Sequence, residues 1–306
     1  MKRNTTLFTA LLLALGLVFT ACNKSGGGSG EKIQLEFNVE PGTVHKMLVK
    51  TDQTVAQKVM GMSQEVGNAI EMYIKQEVKA VDDQGVATVE VTYERVKMTM
   101  DNPMMGKQTY DSDNKDDEDS MLGMGYKGLI GNSFIMKMDK RAQVVDVSGV
   151  ENLYGDLFDE LGDEQLSAQL KNSFGPEAMK KNMQQMATVF PDVLIGEGDT
   201  WGAETGMAGE FGLNLETTYK VDLIDADKCV LAMESEVKTD EDAGIDMGGM
   251  KVSYDITGEQ TGNIEVDRKT GLVIRGEMEQ DLKGEVETMG MSVPMTIKST
   301  ITISSY

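Results

Sequence analysis

The stretch "GVATVEVTYERVKMTM", from Gly85 to Met100, decides the fold class because β-branched and aromatic residues alternate along it with polar ones. Side chains of a β-strand point alternately to its two faces. The alternation therefore places on one face Val89, Val91, Tyr93 and Arg95. Similar runs continue to the C-terminus, among them "LETTYKVDLID" and "MTIKSTITIS". The sequence predicts a mainly β chain, of α+β class, with long antiparallel strands.

The length of these runs adds a prediction about the shape of the sheet. Several exceed the usual five or six residues of a strand, which is typical of long, bent strands. We therefore expect a strongly curved sheet or half-barrel. A flat sandwich of two sheets is the alternative that the sequence leaves open.

The tetrapeptide "MGMS" occurs twice, at Met60–Ser63 and Met289–Ser292, and each copy begins 18 residues after a glycine, Gly42 or Gly271. Glycine supplies the positive φ that a tight hairpin turn needs, so both copies are predicted to be hairpin tips. The repeated spacing favours a domain of two related halves. Chance similarity in a chain rich in glycine and methionine is the alternative.

The predicted halves, about 31–149 and 199–306, are joined by residues 150–190, which have helical periodicity. Short helices in this segment must pack their apolar stripes on a surface, and the concave side of the sheet is the one we predict. Pro191 ends the last of them. The candidate ligand-facing residues of that last helix are Met179, Met183, Met186 and Phe190.

The N-terminus has the organisation of a bacterial signal peptide, with a basic start and an apolar run from Leu7 to Phe19. The run leads into "FTAC", which resembles a lipobox and predicts that residues 1–21 are removed and that Cys22 is lipidated. Residues 22–30 form the anchor and a flexible tether, followed by a single domain at 31–306. The alternative is an ordinary signal peptide followed by an incidental cysteine.

Charge and cysteine content narrow the possible partners. The chain carries 51 acidic and 29 basic residues, a net charge of −22, which repels phosphate backbones and excludes nucleic acid as a partner. Its two cysteines are Cys22 and Cys229. If Cys22 is lipidated, no intramolecular disulfide can form, and Cys229 is predicted to be a small buried apolar residue.

Catalytic and cofactor motifs are absent from the sequence. His45 is the single histidine and lies in an alternating run, where it cannot be assigned to a nucleophile–histidine–acid arrangement. There is no zinc-ligand spacing, phosphate loop or dinucleotide fingerprint. We therefore predict a protein that is not an enzyme and needs no cofactor or metal. Catalysis by paired carboxylates is the alternative.

Methionine and one acidic loop suggest metal binding as distant alternatives. The 24 methionines include pairs such as Met98 and Met100, and thioethers bind Cu(I). Because they are spread along the chain, they favour adaptable packing first, a hydrophobic ligand surface second and copper third. The loop "DSDNKDDED", from Asp111 to Asp119, carries oxygen ligands for calcium, but Lys115 occupies a ligand position. A solvated loop is the prediction there.

Two phrases, "FPDVLIGEGDTWG" from Phe190 and "VDRKTGLV" from Val266, resemble uncharacterised Bacteroidota cell-envelope lipoproteins built around a domain of unknown function. In that family a G-D-x-W step precedes a D-x-x-T-G-x-V hairpin. The resemblance covers about residues 31–306 and implies lipid anchoring in the cell envelope, at the outer membrane, with no known activity. No acidic cluster follows Cys22, which favours a periplasmic over a surface-exposed domain.

Two functions compete on this evidence. The first is a non-catalytic protein that binds or carries a hydrophobic ligand such as a lipid, resembling in architecture the half-barrel proteins that shuttle lipoproteins across the periplasm. A possible hinge at Gly175-Pro176 and the nearby methionines favour it. The second is an interaction scaffold for envelope proteins with a filled core, because an amphipathic helix is ordinarily buried without any ligand.

Overall fold

The computed structural model describes the following residues: 30–59, 62–104, 106–117, 120–124, 126, 128–150, 153, 179–180, 183, 188–206, 212–239, 244–246, 251–288 and 291–306. The predicted signal peptide and Cys22 lie outside them, as do Met186 and most of residues 150–190.

Thirteen strands form one antiparallel sheet. They are β1 (Val44–Val59), β2 (Met62–Val81), β3 (Ala87–Asn102), β4 (Gly106–Asp111), β5 (Ser133–Met138), β6 (Val144–Ser148), β7 (Thr200–Gly206), β8 (Leu213–Ile224), β9 (Lys228–Thr239), β10 (Gly244–Asp246), β11 (Lys251–Asp267), β12 (Val273–Thr288) and β13 (Met291–Ser305). The order across the sheet is β6-β5-β3-β2-β1-β13-β12-β11-β9-β8-β7, with β4 beside β3 and β10 beside β11. A 3-10 turn, Lys115–Asp117, and a single helical turn, Met121–Met124, interrupt the strands.

The predicted α+β half-barrel, with the helices of residues 150–190 on its concave side, is wrong. The described chain is nearly all β, and its sheet is one open antiparallel layer whose edge strands, β6 and β7, do not pair with each other. Within the described ranges the only complete helical elements are the two short turns, and no helix packs on the sheet. The length of the strands sets the dimension of the sheet along the strand direction. Whether a sheet curls toward a barrel depends on the tilt and stagger between strands, which the residues of one strand do not encode.

A β-bulge changes the phase of the alternation in β3. Tyr73 pairs with Arg95 and Ile74 pairs with Tyr93, which leaves Glu94 as an extra residue. The strand therefore turns over, and Val96 is fully buried on the same face as Tyr93. The prediction that Arg95 shares that face is wrong, because the bulge directs it to the opposite one. There its guanidinium donates to the Asp111 carboxylate at 2.6 Å.

One face of the sheet is apolar and carries two clusters of buried side chains. The larger draws on strands from both edges, and the smaller consists of Leu213, Leu215, Val237, Ile256 and Leu282. Between the clusters runs a row of polar residues that are partners on successive strands: Gln53, Ser299, Gln280, Gln260, Ser235 and Thr217. These polar groups satisfy one another, for example through a 2.8 Å bond between the hydroxyls of Thr217 and Ser235.

Two irregular segments cover the larger cluster, and we call residues 33–39 and 188–195 the cover segments. They are joined by a β-bridge in which the amide of Ile33 donates to the carbonyl of Ile195 at 2.8 Å. In the first segment, the amide of Phe37 donates to the carbonyl of Lys140, and the amide of Asn38 donates to the carbonyl of Thr270 in the β11–β12 turn. The side chains of Leu35 and Phe37 in this segment are buried. Part of the apolar face is therefore covered by these two stretches of extended chain.

Both "MGMS" segments lie at strand connections. Val59 pairs with Met62, and Thr288 pairs with Met291, so each connection is a two-residue hairpin. The two central residues of each hairpin lie outside the described residues. In the sheet the β1–β2 and β12–β13 hairpins stand side by side, joined through β1 and β13. The origin of the two halves by duplication stays a prediction.

Glycines allow β11 and β12 to approach closely. Gly258 lies opposite Leu282, and Gly284 lies opposite Ile256. A Cβ atom at Gly284 would collide with the carbonyl oxygen of Asp255, whereas one at Gly276 would meet Ile303 at an ordinary 3.6 Å. The missing side chains leave space into which Leu282 and Ile256 pack, and both are at most 2 % exposed.

The two glycines of β12 give a matched test of this close approach. Gly284→Ala should lower the free energy of unfolding by about 1–3 kcal/mol, because the backbone must move to admit the methyl group. Gly276→Ala should change it by no more than about 0.5 kcal/mol. Urea unfolding followed by circular dichroism measures both. Equal effects of the two substitutions would contradict the close approach.

Candidate functional site

A cavity of about 110 Å³ lies between the apolar face of the sheet and the second cover segment. Its wall is formed by alternate residues of β1, β2, β3, β5, β6, β12 and β13, since only every second side chain of a strand faces the cavity. Most of the lining is apolar, with methionines from three elements: Met47, Met136, Met138 and Met183. The polar side chains that line it, apart from a tyrosine, are His45, Gln76 and Thr188.

The second cover segment forms the roof of the cavity, and hydrogen bonds from both edges of the sheet hold it in place. Phe190 donates its amide to the carbonyl of Arg141 at 2.9 Å, and the Arg141 guanidinium donates back to the carbonyl of Phe190 at 2.8 Å. From the opposite edge, the indole of Trp201 donates to the carbonyl of Val189 at 2.7 Å. Trp201 stacks on Tyr219 with ring centroids 5.3 Å apart. The Phe190 ring is therefore fixed over the cavity by main-chain contacts.

The G-D-x-W phrase anchors the same region through its aspartate. The Asp199 carboxylate accepts hydrogen bonds from the amide of Gly196 at 2.9 Å and from the ammonium of Lys32 at 3.2 Å. These bonds hold the pKa of Asp199 below its usual range, with the Gly196 amide as the larger cause. This aspartate joins Lys32 and Gly196, which directly flank the two cover segments, so its role is structural.

The D-x-x-T-G-x-V phrase forms the β11–β12 turn at the cavity edge. Asp267 accepts hydrogen bonds from the amide and the hydroxyl of Thr270, at 2.8 and 2.7 Å. Gly271 has φ +71°, and a Cβ atom there would meet the Phe190 ring at 2.9 Å. Gly271, Leu272 and Val273 line the cavity. The two phrases that carry the family resemblance therefore shape the cavity wall and roof.

Only some of the predicted ligand-facing residues line the cavity. Met183 and Phe190 line the cavity. Met179 is 7 % exposed within the larger apolar cluster. Met186 lies outside the described residues. Sequence reasoning considered only a catalytic function for His45 and missed the strand methionines as lining residues, although the alternation of β1 and β5 carried the signal that they share a face.

His45 is the one lining residue with an unpaired buried atom. Its Nε2 is buried, and no described group lies within hydrogen-bonding distance of it. Burial lowers the pKa of the His45 imidazole, and a hydrogen bond to the main chain of Val273 opposes that shift. Burial also raises the pKa of Tyr93, in the cavity wall, to about 12. The site is therefore uncharged near neutral pH.

Other features of the described residues hold no comparable site. Two open depressions, of about 880 and 670 Å³, are lined mainly by polar and acidic side chains of the middle of the sheet. No group of three or more potential ligands is placed to hold a metal among the residues the structure describes. In the acidic loop, the Asp111 carboxylate is bound to Arg95, while Asp119 lies outside the described residues. No described helix is long and apolar enough to span a membrane.

The buried imidazole should make stability depend on pH. Because the pKa of His45 is lower in the folded than in the unfolded protein, only the unfolded chain binds this proton readily below about 6.5. We expect the free energy of unfolding to fall between pH 7.5 and 5.5 by more in the natural protein than in His45→Gln. Urea unfolding at both values measures the difference, and effects of the carboxylates cancel because both proteins share them. Parallel pH profiles would contradict a lowered pKa.

Comparisons with solved structures support the β fold. The chain has a TM-score of 0.50 and 12 % identity to lipovitellin, covering 87 % of this chain and 25 % of that one. The chain thus spans a quarter of the length of that protein. A second structure, DynF from the dynemicin biosynthesis pathway of Micromonospora chersina, matches 91 % of this chain and 86 % of that one at 8 % identity, but its TM-score of 0.24 carries no argument.

Among curated proteins, none matches the chain at a significant level. A family model does match, over residues 84–273, which include both the G-D-x-W phrase and the D-x-x-T-G-x-V turn. That range holds β3 to β11, whereas β1 and β2 precede it and β12 begins at its last residue. The chain belongs to this family, which is described as a family of unknown function, DUF6263.

Proposed function

We propose that this protein is a non-catalytic, lipid-anchored protein of the cell envelope that binds a hydrophobic ligand in the cavity beneath Phe190. The observation that carries the proposal is an apolar, uncharged cavity between the sheet and the second cover segment. Ligand sites are typically concave and mostly apolar, with a few polar groups that fix orientation. Methionine side chains are flexible, which suits a wall that adapts to an apolar partner.

The size of the cavity limits what it can hold. Its volume of about 110 Å³ is below the roughly 150 Å³ of an engineered cavity that binds benzene. A lipid would place one end of its apolar chain there, or displace Met183 and Phe190 from the wall. The solved structure with the similar fold concerns lipid–protein interactions in lipovitellin. That likeness is one of fold, and we extend it to ligand class only as part of this proposal.

The proposed anchor lies close to the cavity. The first cover segment begins within a few residues of Gly30 and contributes Phe37 to the cavity wall. A tether of eight residues of this Gly/Ser-rich composition would span about 16 Å on average, which would keep this end of the sheet near the membrane. In the second cover segment, beside the Ile195 bridge, the apolar residues Val193 and Leu194 are 65 % and 55 % exposed. We infer an outer-membrane location with the domain facing the periplasm.

An interaction scaffold for other envelope proteins is the second candidate. The small cavity volume favours it, because most of the apolar cluster is already buried by the chain itself. A filled core needs no ligand, and such a protein would act through its surface. The two candidates differ in whether the purified protein carries an apolar molecule.

Native mass spectrometry of the protein purified from its own envelope, followed by solvent extraction, tests the ligand. We expect a reproducible adduct that is lost in Met183→Asp, because a carboxylate in the cavity wall excludes apolar groups. Met104→Asp is the matched control, since Met104 is 80 % exposed in the β3–β4 turn and should leave the adduct unchanged. A clean apo mass in the natural protein would refute ligand binding and leave the scaffold.

Metabolic labelling tests the anchor. Radioactive fatty acid should enter the natural protein, and Cys22→Ala should abolish the incorporation, because this thiol is the proposed site of acylation. Cys229→Ala is the control, since Cys229 is fully buried and the burial raises the pKa of its thiol to about 11. Equal labelling of the natural protein and Cys22→Ala would refute the anchor.

A further inference from the structure

The unpaired imidazole nitrogen of His45 gives information about the ligand itself. His45 lies near the start of β1, and its cross-strand partner on β2 is Gln76. Both side chains line the cavity, as does Val273, the first residue of β12. Nε2 of His45 is buried with no described hydrogen-bond partner. Buried polar atoms are nearly always paired in folded proteins, so this atom calls for a partner that enters the cavity.

The main-chain contact of His45 decides which kind of partner fits. The hydrogen bond with Val273 favours the protonated imidazole, which means that a ring nitrogen donates to a main-chain oxygen. No described group lies within hydrogen-bonding distance of Nε2, so we assign Nδ1 as the ring nitrogen that donates to Val273. A neutral imidazole has one donor and one acceptor nitrogen. Nε2 therefore presents a lone pair to the cavity and needs a hydrogen-bond donor.

The rest of the lining argues against an anionic ligand group. The described residues that line the cavity include no lysine and no arginine, and Tyr93 is held neutral by burial. A carboxylate brought into such a site would lose its hydration without gaining a positive partner, which is strongly unfavourable. A carboxylate also has no proton to donate to an acceptor nitrogen.

We propose that the ligand is an apolar alcohol, whose hydroxyl group donates a hydrogen bond to Nε2 of His45 while its hydrocarbon part packs against the methionines of the cavity wall. This inference rests on the proposed hydrophobic-ligand function and adds the chemical class of the ligand. His45 is then the residue that determines specificity, and Gln76 and Thr188 supply further polar contacts to the hydroxyl. An ether of the same length has an oxygen but no hydroxyl proton, so it cannot donate this hydrogen bond and leaves Nε2 unpaired.

Three probes of equal chain length separate these possibilities: 1-octanol, 1-methoxyheptane and octanoate. Their affinities are measured by calorimetry at pH 7.5 on the mature chain from residue 22 onward, carrying Cys22→Ala so that it is not acylated. We expect 1-octanol to bind at least about tenfold more tightly than either of the others, since one buried hydrogen bond of ordinary strength corresponds to about that ratio.

Two variants and one spectroscopic signal keep the test specific. His45→Leu should lose the preference for the alcohol over the ether, whereas His45→Gln, which retains an acceptor oxygen, should keep part of it. Since His45 is the only histidine, ¹⁵N-histidine labelling gives a single imidazole. Its Nε2 resonance should move when 1-octanol binds and not when 1-methoxyheptane binds.

The outcomes separate this inference from the function on which it rests. Equal binding of alcohol and ether, as expected if a water molecule pairs with Nε2, would overturn the inference and leave hydrophobic-ligand binding intact. Tightest binding of octanoate would also overturn it, because it would require a protonated His45. If no probe binds the natural chain, the proposed function fails, and the inference fails with it.

Discussion

An open sheet with one apolar face must have that face covered, and the rest of this structure depends on how the two cover segments achieve it. Ile33 and Ile195 join the segments through paired main-chain hydrogen bonds of 2.8 and 2.9 Å. Each segment then bonds to the β5–β6 turn, through Lys140 and Arg141. Extended chain satisfies its amides in this way while it buries Leu35 and Phe190. Its irregular path packs less completely than a second sheet would, and the cavity lies where the packing is incomplete.

The cavity and the structural motifs are consequences of the same arrangement. A side chain at position 271 would collide with the Phe190 ring, so the turn requires Gly271 there. Asp199 accepts a hydrogen bond from Lys32, next to the first cover segment. These contacts fix the roof above a wall of flexible methionines. His45 stands out because its Nε2 is buried without a described partner in a wall that is mostly apolar. An unpaired buried acceptor destabilises the empty protein, which is the usual condition for a polar group that serves a ligand.

The polar row across the middle of the apolar face divides the core into two clusters. Gln53 donates to Ser299, and Gln280 donates to Gln260, at 3.3 and 3.4 Å. Buried and half-buried polar groups at one level of six adjacent strands fix the register of these strands, because a slip by one residue would leave them unpaired. The apolar cluster beneath the cover segments is thereby kept separate from the smaller one around Ile256. This separation confines the candidate site to one end of the sheet.

The sequence by itself determined the strands and the positions of the two MGMS hairpins, because alternation and turn glycines act within a few residues. It also indicated Met183 and Phe190 through helical spacing and aromatic character. Only the tertiary structure decided that the sheet is open, that β3 reverses its faces at Glu94, and that His45 faces a cavity. The open sheet and the cavity depend on contacts between residues more than 100 positions apart, such as Phe37 with Lys140, and the reversal in β3 depends on its pairing with β2. Such pairings leave no periodic signal in the chain.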